Sequence, residues 1–432
     1  MNISQSKTFK KLYENCPLLE MWLPILNEND VDFEMNVMHA GIVNTVILHL
    51  SKDILNYEKV PDKYHSLLKN SPLAIGPFTT QIEPALEWLN AGAQYVIFTL
   101  DNNACDETLT LLLNVIKECP KERVWLSLPW TDTEDMSLFL SPFIQHVNGI
   151  VLNMTQYENE NDEILEKIKI MKKDHAEDIT WMVQFDKNVT SEMIGFYHKT
   201  LTMDILSPFI TTSTLGDCFT ACLTTDRTDG LYTTVVTDTS GVALGLVYSS
   251  KESLKMAIKE KKGIYYSRSR QNIWKKGETS GHVQTLSSIG MDCDSDAIRV
   301  TVTSAGPFCH LNTTGCWGNS KGVLKLQETL KERLMTATPG SYTQRLFTDT
   351  TLLHHKLVEE AQELSEAIDV EHVAEEAADL LYFAMVKCAS SGVEWKDVER
   401  VLDHRTLKVK RRVGNAKAYR IAAATKLLSK DQ

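Results

Sequence analysis

Short apolar runs alternate with amphipathic stretches along the first half of the chain. The runs are VNTVILHL (43–50), YVIFTL (95–100), VWLSL (124–128), GIVLNM (149–154) and ITWMVQF (179–185). Strands separated by helix-sized segments are typical of βαβ units and of a parallel sheet. Residues 74–98 have the strand–loop–helix–strand order of a (β/α) barrel unit. We therefore predict that residues 1–225 form an α/β domain, with the layout of a degenerate β/α barrel.

The pattern becomes rich in short strands over residues 226–321. LYTTVVTD (231–238) and GVALGLVY (241–248) predict two strands, and IYYSRSR (264–270) predicts a third. Between them, SSKE (249–252) predicts a helix that begins with a capping box and stops at Gly263. This region is predicted to be a compact α+β domain.

Helical periodicity dominates residues 322–418, and residues 419–432 are predicted to be a tail. The helical segments are LKLQETLKERL (324–334), TLLHHKLVEEAQELSEAI (351–368), HVAEEAADLLYFAMVKCA (372–389) and WKDVERVLDHR (395–405). The chain is therefore predicted to be multi-domain, with an all-α C-terminal domain.

Composition narrows the function classes. A chain of 432 residues with a net charge of -12 is expected to repel nucleic acid. No apolar run reaches the roughly 18 residues that a membrane span needs. The N-terminus lacks the apolar stretch of a secretory signal, so a cytoplasmic location is expected. The nine cysteines are an odd number in a long chain, which favours buried or metal-bound thiols over disulfides.

Three acids alternate with other residues in MDCDSDAIRV (291–300). In an extended segment, Asp292, Asp294 and Asp296 would share one face at intervals of about 6.5 Å, and Cys293 would face the other way. Such close like charges need a cation. The alternative is a solvated acidic turn.

A second cluster of possible metal ligands lies in GPFCHLNTTGCW (306–317), which contains Cys309, His310 and Cys316. Cys293, Cys309 and Cys316 together would give zinc three thiolates and leave its fourth coordination position open, as in catalytic zinc sites. His310 or His282 could then move protons during attack by water. The alternative is that the cysteines are buried hydrophobic residues.

Three motifs together resemble phosphoribosyl-AMP cyclohydrolase of histidine biosynthesis: YSRSRQNIWKKGETSGHVQ, DCDSDAIRV and GPFCH…GCW. The resemblance implies Zn2+ on Cys293, Cys309 and Cys316, and Mg2+ on Asp292, Asp294 and Asp296. It also implies a homodimer in which the first cysteine comes from the opposite subunit. The implied reaction is hydrolytic opening of the adenine ring between N1 and C6. Ser295 replaces a usual glycine, and we expect little consequence because both residues are small.

The same resemblance supplies candidate substrate-binding residues. They are Arg268, Arg270, Lys276, Glu278, Thr279 and Ser280. The guanidinium groups of the two arginines can donate in a fork to phosphate oxygens. The alternative for both arginines is an exposed strand with ordinary charges.

Paired carboxylates lie on two predicted helices of the C-terminal region. Glu360 and Glu363 share one helix face, and Glu376 and Asp379 share a face of the next helix. Opposed acidic pairs suit Mg2+, a hard cation that takes oxygen ligands. The alternative is a solvated acidic face near the helix N-termini.

GSYTQRLF, KLVEEAQE and EEAADLLY resemble phosphoribosyl-ATP pyrophosphohydrolase. The resemblance implies Mg2+ on Glu360, Glu363, Glu376 and Asp379, with Glu359 close by. It implies phosphate contacts for Ser341, Tyr342, Thr343 and Lys356. The implied reaction splits phosphoribosyl-ATP between its α and β phosphates and releases pyrophosphate.

The two resemblances place the chain among bifunctional histidine-synthesis proteins of the fungal type, in which phosphoribosyl-AMP passes from the first reaction to the second. The extra N-terminal region is present, and the histidinol dehydrogenase part is not; whether the chain is a fragment stays open. The N-terminal region, residues 1–225, faintly resembles phosphosugar-isomerase barrels. It has no glycine-rich phosphate loop and no convincing acid/base pair, so a scaffold role is expected. Two alternatives remain: a general nucleoside triphosphate pyrophosphatase with a structural zinc module, and a catalytically dead regulatory scaffold.

Overall fold

The computed structural model describes residues 22–27, 32–43, 45–56, 59–100, 104–130, 136–154, 162–174, 179–185 and 188–409. The tail predicted at 419–432 lies outside these ranges.

Eight parallel strands of the N-terminal region close into a barrel, with β1 hydrogen-bonded to both β2 and β8. The strands are β1 (Trp22–Asn27), β2 (Val46–His49), β3 (Leu73–Phe78), β4 (Tyr95–Thr99), β5 (Val124–Pro129), β6 (Gly149–Asn153), β7 (Thr180–Gln184) and β8 (Asp204–Ser207). The helices are α1 (Phe33–Ala40), α2 (Lys52–Leu55), α3 (Asp62–Asn70), α4 (Ile82–Ala91), α5 (Asp106–Lys117), α6 (Met136–Ile144), α7 (Asp162–Asp174), α8 (Ser191–Phe196) and α9 (Leu215–Cys222), with a 3-10 turn at Lys121–Arg123 and a π-helical turn at Tyr197–Leu201. The α/β prediction for this region is confirmed.

The apolar runs are explained by burial on both faces of each barrel strand. Successive side chains point to opposite faces of a strand. Ile47, Trp125 and Met182 therefore fill the barrel interior, whereas Val46 and Leu48 pack in the larger core outside it. A strand buried on both sides reads as a continuous apolar run, which is typical of parallel sheets.

The middle region forms a six-stranded sheet in the order β12-β11-β10-β9-β14-β13. Its elements are β9 (Tyr232–Thr237), β10 (Ala243–Ser249), α10 (Lys251–Glu260), β11 (Ile264–Ser267), β12 (Asn272–Lys275), β13 (Gln284–Met291) and β14 (Ala297–Ser304). The capping box of α10 lies one residue later than predicted, because Ser250 and Ser253 bond reciprocally. The helix ends at a left-handed Lys261 rather than at Gly263.

The C-terminal region is helical, as predicted. It comprises α11 (Gly322–Thr336), α12 (Tyr342–Thr348), α13 (Thr350–Glu366), α14 (Val370–Ser390) and α15 (Trp395–Thr406). Its small core contains Leu330, Leu346, Leu353, Phe383 and Val386. The first two turns of α14 are largely exposed, so this helix is buried only along its second half.

The barrel contacts both other regions. The amide of Ile289 donates to Ile42 O at 2.9 Å, which ties β13 to the end of α1. On another side, the Arg123 guanidinium donates to the Leu407 carbonyl just after α15. The amide of Val409 also donates to a side-chain oxygen of the barrel. The barrel is therefore a common base for the two regions that carry the predicted sites.

Candidate active sites and metal centres

The three aspartates lie on a turn between β13 and β14, not on an extended strand as predicted. The amide of Ser295 donates to Asp292 O at 3.2 Å, and the amide of Asp292 donates to Ala297 O at 3.0 Å. One Asp292 carboxylate oxygen accepts from the amides of Asp296 and Ala297, each at 3.1 Å. Aspartate favours such turns because its side chain can bond backbone amides further along the chain.

The turn still brings the three acids together. One carboxylate oxygen each from Asp292, Asp294 and Asp296 lies within 4.8 Å of the others. The charge of Asp294, followed by slight burial and by Asp292, raises the pKa of Asp296 above its ordinary value. A divalent cation would relieve this repulsion, and three carboxylates are suitable ligands for it.

Ser295 has a larger role than its small size indicated. Its φ of 64° lies in the left-handed region, which favours glycine and costs a side-chain-bearing residue about 1 kcal/mol. The serine is only 4% exposed, and its hydroxyl lies 3.1 Å from Nε2 of His198 in the barrel. The expectation that serine has little consequence stays a prediction, and the structure adds that glycine and serine differ here in backbone freedom rather than in size.

Cys309 and Cys316 lie side by side after β14. Amide and hydroxyl donors, Leu311 first and then Thr313, lower the pKa of the Cys309 thiol, and the Cys316 side chain adds to this effect. Partial burial raises the pKa of Cys316. Cys293 does not join them: among the described residues, the groups of three close ligand atoms are acidic only.

Glycines make room for the aromatic groups around these thiols. A Cβ on Gly306 would lie 2.6 Å from the His282 ring, so glycine lets His282 approach the segment that leads to Cys309. Lys276 reaches the same segment, where its Nζ donates to Phe308 O at 2.7 Å. The structure thus places His282 and Lys276 near the segment 306–316, which contains both cysteines. His310 is exposed, and its Nδ1 lies 3.9 Å from Cys309 Sγ.

The predicted substrate-binding arginines lie on the hairpin turn after β11 rather than on a strand. The Arg268 guanidinium stacks 3.8 Å from the Tyr248 ring centroid. Arg227 lies 4.6 Å from the same ring and forms a two-point ion pair with Asp229. Sequence reasoning missed Arg227, which precedes the recognisable motifs. Arg270 and the exposed turn residues Glu278, Thr279 and Ser280 make no contact here that assigns them a role.

The acids of α13 and α14 face one another in the C-terminal region. One carboxylate oxygen each of Glu360, Glu376 and Asp379 lies within 4.8 Å of the others. Glu360 is 5% exposed, and Oε2 of Glu376 is buried without a hydrogen-bond partner. Glu363 lies outside this trio; slight burial and then Glu360 and Glu376 raise its pKa. A buried carboxylate oxygen without a donor is costly unless a cation balances its charge, so the Glu376 oxygen fits a metal ligand.

The predicted phosphate contacts are divided between two elements. Ser341 caps α12 by accepting from the amide of Gln344 at 3.3 Å, and Tyr342 and Thr343 follow it. Lys356 is paired with Glu359 at 2.8 Å and Glu360 at 2.9 Å. A phosphate role for Lys356 would therefore require it to act beside the acidic trio, with part of its charge already neutralised.

Both recognised segments match known families. Residues 245–318 match Phosphoribosyl-AMP cyclohydrolase, and residues 323–406 match Phosphoribosyl-ATP pyrophosphohydrolase. The "Histidine biosynthesis bifunctional protein his7" of Schizosaccharomyces pombe is 34% identical over 407 residues, which cover 90% of this chain and 92% of that protein. The chain belongs to the histidine biosynthesis bifunctional protein family. The two resemblances drawn from the motifs are thereby confirmed.

Other relatives match less than half of the chain. The "Histidine biosynthesis trifunctional protein" of Kluyveromyces lactis is 54% identical over 45% of this chain, and "Histidine biosynthesis bifunctional protein HisIE" of Photobacterium profundum is 35% identical over 42% of it. The matched part spans 94% of the bacterial protein. The chain spans only about a quarter of the length of the trifunctional relatives.

A solved structure titled "Crystal structure of KGPDC from Streptococcus mutans" aligns with 43% of the chain at 8% identity and a TM-score of 0.30, too low to bear on function. Of the helices in the described ranges, none has the length and apolar character needed to cross a bilayer.

Proposed function

We propose that this chain carries out two successive hydrolytic steps of histidine biosynthesis. The C-terminal region would split phosphoribosyl-ATP into phosphoribosyl-AMP and pyrophosphate, and the middle region would open the adenine ring of the product. One observation carries the proposal: each of the two matched segments contains its own cluster of converging acids. A structural or regulatory scaffold would have no need for two such clusters.

The donor atoms fit the metals that the proposal requires. Both acid trios offer oxygen ligands, which suit Mg2+, and the buried unpartnered oxygen of Glu376 favours a cation there. Zn2+ suits thiolates, and Cys309 and Cys316 supply two. We assign the third to Cys293 of a second copy of the chain, since Cys293 does not join the other two within one chain. Zinc, when bound, lowers the pKa of a coordinated water toward roughly 7.

For ring opening, the residues around the thiols have separable tasks. Water adds to C6 of the adenine, the N1–C6 bond breaks, and N1 gains a proton. His282, held against Gly306, is the better placed general base, with His310 the exposed alternative. Arg268, stacked on Tyr248, would orient a substrate phosphate.

For pyrophosphate release, Glu360, Glu376 and Asp379 would hold Mg2+, which when bound would supply positive charge to the triphosphate. The bond between the α and β phosphates breaks as water supplies the oxygen to phosphorus. Ser341, Tyr342 and Thr343 lie at the N-terminus of α12 and would contact phosphate oxygens. Glu363 and Lys356 would adjust the charge around the acidic trio.

The proposal extends to the domain bounds, the oligomeric state and the location. We assign residues 226–321 to the cyclohydrolase domain, 322–418 to the pyrophosphohydrolase domain, and 1–225 to an α/β domain of unknown role. A homodimer is part of the proposal, because Cys309 and Cys316 find no third thiolate among the described residues of one chain. A cytoplasmic location is part of it as well.

The test is a comparison of substrates on purified protein. Phosphoribosyl-ATP should release pyrophosphate much faster than ATP or other ordinary nucleoside triphosphates, and phosphoribosyl-AMP should be converted to the ring-opened product. Equal rates on all triphosphates without ring opening would support a general pyrophosphatase instead. A protein that turns over none of these substrates, and that binds no zinc, would support a scaffold.

A further inference from the structure

A buried side chain of the barrel contacts the three-aspartate turn of the middle domain. His198 lies in the π-helical turn after α8, and its Nε2 is 3.1 Å from the Ser295 hydroxyl. His198 is 6% exposed and Ser295 is 4% exposed, so water does not compete for this hydrogen bond. Because Ser295 separates Asp294 from Asp296, the contact is with the predicted magnesium turn itself.

The segment that leaves the barrel adds two more hydrogen bonds to the turn. Thr224 follows α9, and its amide donates to Ser295 O at 2.9 Å. Its hydroxyl donates to Asp294 O at 3.0 Å. All three hydrogen bonds come from residues that precede position 245, where the match to the cyclohydrolase family begins. The turn is therefore held partly by a domain outside the one that carries the acids.

A buried carboxylate faces the other ring nitrogen of His198. Its Nδ1 lies 3.7 Å from a carboxylate oxygen of Asp204, at the start of β8. Asp204 is also buried, and no hydrogen-bond partner of Nδ1 is present among the described residues. A carboxylate facing one imidazole nitrogen favours a proton there and leaves the other nitrogen to bond a hydroxyl.

The left-handed backbone of Ser295 indicates that its hydroxyl contributes a contact that glycine could not make. At a φ of 64° glycine would be favoured, so the side chain is a liability unless its hydroxyl contributes a contact. We propose that His198 is a positioning residue for ring opening, which acts through Ser295 to hold the three-aspartate turn in the shape that binds a divalent cation. This inference rests on the proposed function, and it gives the barrel a task.

The test uses the full chain with His198→Ala, in an Asp379→Ala background that removes the helical acid site. We expect hydrogen exchange of the amides at 292–297 in metal-free protein to become about tenfold faster. Mg2+ affinity measured by calorimetry should fall about tenfold, as is usual when a group that supports a ligand is removed. Raising Mg2+ should restore ring opening, and zinc content should not change.

Three companion variants distinguish positioning from general damage. Ser295→Ala should reproduce these effects, and the double variant should add little to them. His198→Gln keeps a hydrogen-bonding side chain and should recover part of the Mg2+ affinity. Thr220→Val is the matched control, because its hydroxyl donates within α9, to Gly216 O and Asp217 O, and to no other group in the described part of the chain.

The outcomes are decisive in either direction. Unchanged exchange and unchanged Mg2+ affinity in Ser295→Ala would overturn the inference, even where His198→Ala does not fold. Equal effects in Thr220→Val would overturn it as well, because they would report loss of barrel stability. If the parent chain opens no purine ring, the proposed function fails, while exchange and Mg2+ affinity still test the inference.

Discussion

Glu376→Gln should stabilise the metal-free C-terminal domain and abolish its response to Mg2+. The carboxylate oxygens of Glu360, Glu376 and Asp379 lie within 4.8 Å of one another. At that separation two unit charges repel by about 3 kcal/mol at an effective dielectric constant of about 20, and by about 1 kcal/mol at about 80. The variant loses an ion pair with exposed His372, worth at most about 1 kcal/mol. We expect a net gain of about 1–2 kcal/mol in the free energy of opening.

Hydrogen exchange of the α13 and α14 amides measures this free energy for the one domain, with and without Mg2+. In the parent chain, Mg2+ at 100 times its dissociation constant should add about 2.7 kcal/mol. Glu375→Gln is the matched control, since it removes the same charge from the adjacent, exposed position. The reasoning is refuted if Glu376→Gln lowers protection without Mg2+, if it keeps the Mg2+ response, or if Glu375→Gln behaves alike.

Three further predictions concern the other sites. Gly245→Ala would place a Cβ 2.3 Å from Phe308 Cε1 and 3.0 Å from Cys316 Sγ, so the ring beside Cys309 and the Cys316 thiol must both shift. Metal analysis should find less zinc while pyrophosphate release persists; unchanged zinc would contradict this. Burial raises the pKa of Asp204 from 3.8 to about 6, so the folded protein holds a proton that the unfolded chain has already lost between these pH values. The free energy of unfolding of the parent protein should therefore fall by about 3 kcal/mol relative to Asp204→Asn as pH rises across that interval. Unfolding followed by tryptophan fluorescence measures this difference. A difference in stability between the two proteins that does not change with pH would contradict this prediction. Cys293→Ala and Cys309→Ala should each abolish ring opening. If each site uses both subunits, a mixed dimer keeps one intact site of two, so a randomly reassembled equimolar mixture should regain about a quarter of the parent activity; no recovery argues against a shared site.

The strands of the barrel could be predicted because each one leaves a signal in a short stretch of sequence. Each strand is buried on both faces, which requires a continuous apolar run such as the one containing Val46, Ile47 and Leu48. Closure into a ring depends on the pairing of β1 with β8, whose residues are far apart in the sequence. No local pattern carries that information.

The three-aspartate motif shows where a pattern can mislead. Alternating acids resemble a half-buried strand, yet aspartate and serine also favour turns, and Asp292 bonds the amides of Asp296 and Ala297. The grouping of the acids was still anticipated, because the turn and the strand both bring them together. His198 had no sequence signal, since only the tertiary fold places it against Ser295, 97 positions away.

The most direct test of the whole account follows both products of one incubation with phosphoribosyl-ATP. Cys309→Ala should release pyrophosphate and accumulate phosphoribosyl-AMP, because only the thiolate site is lost. Asp379→Ala should leave phosphoribosyl-ATP intact and yet open the ring of added phosphoribosyl-AMP. If either substitution, in folded protein, removed both activities, the assignment of two independent centres would be contradicted.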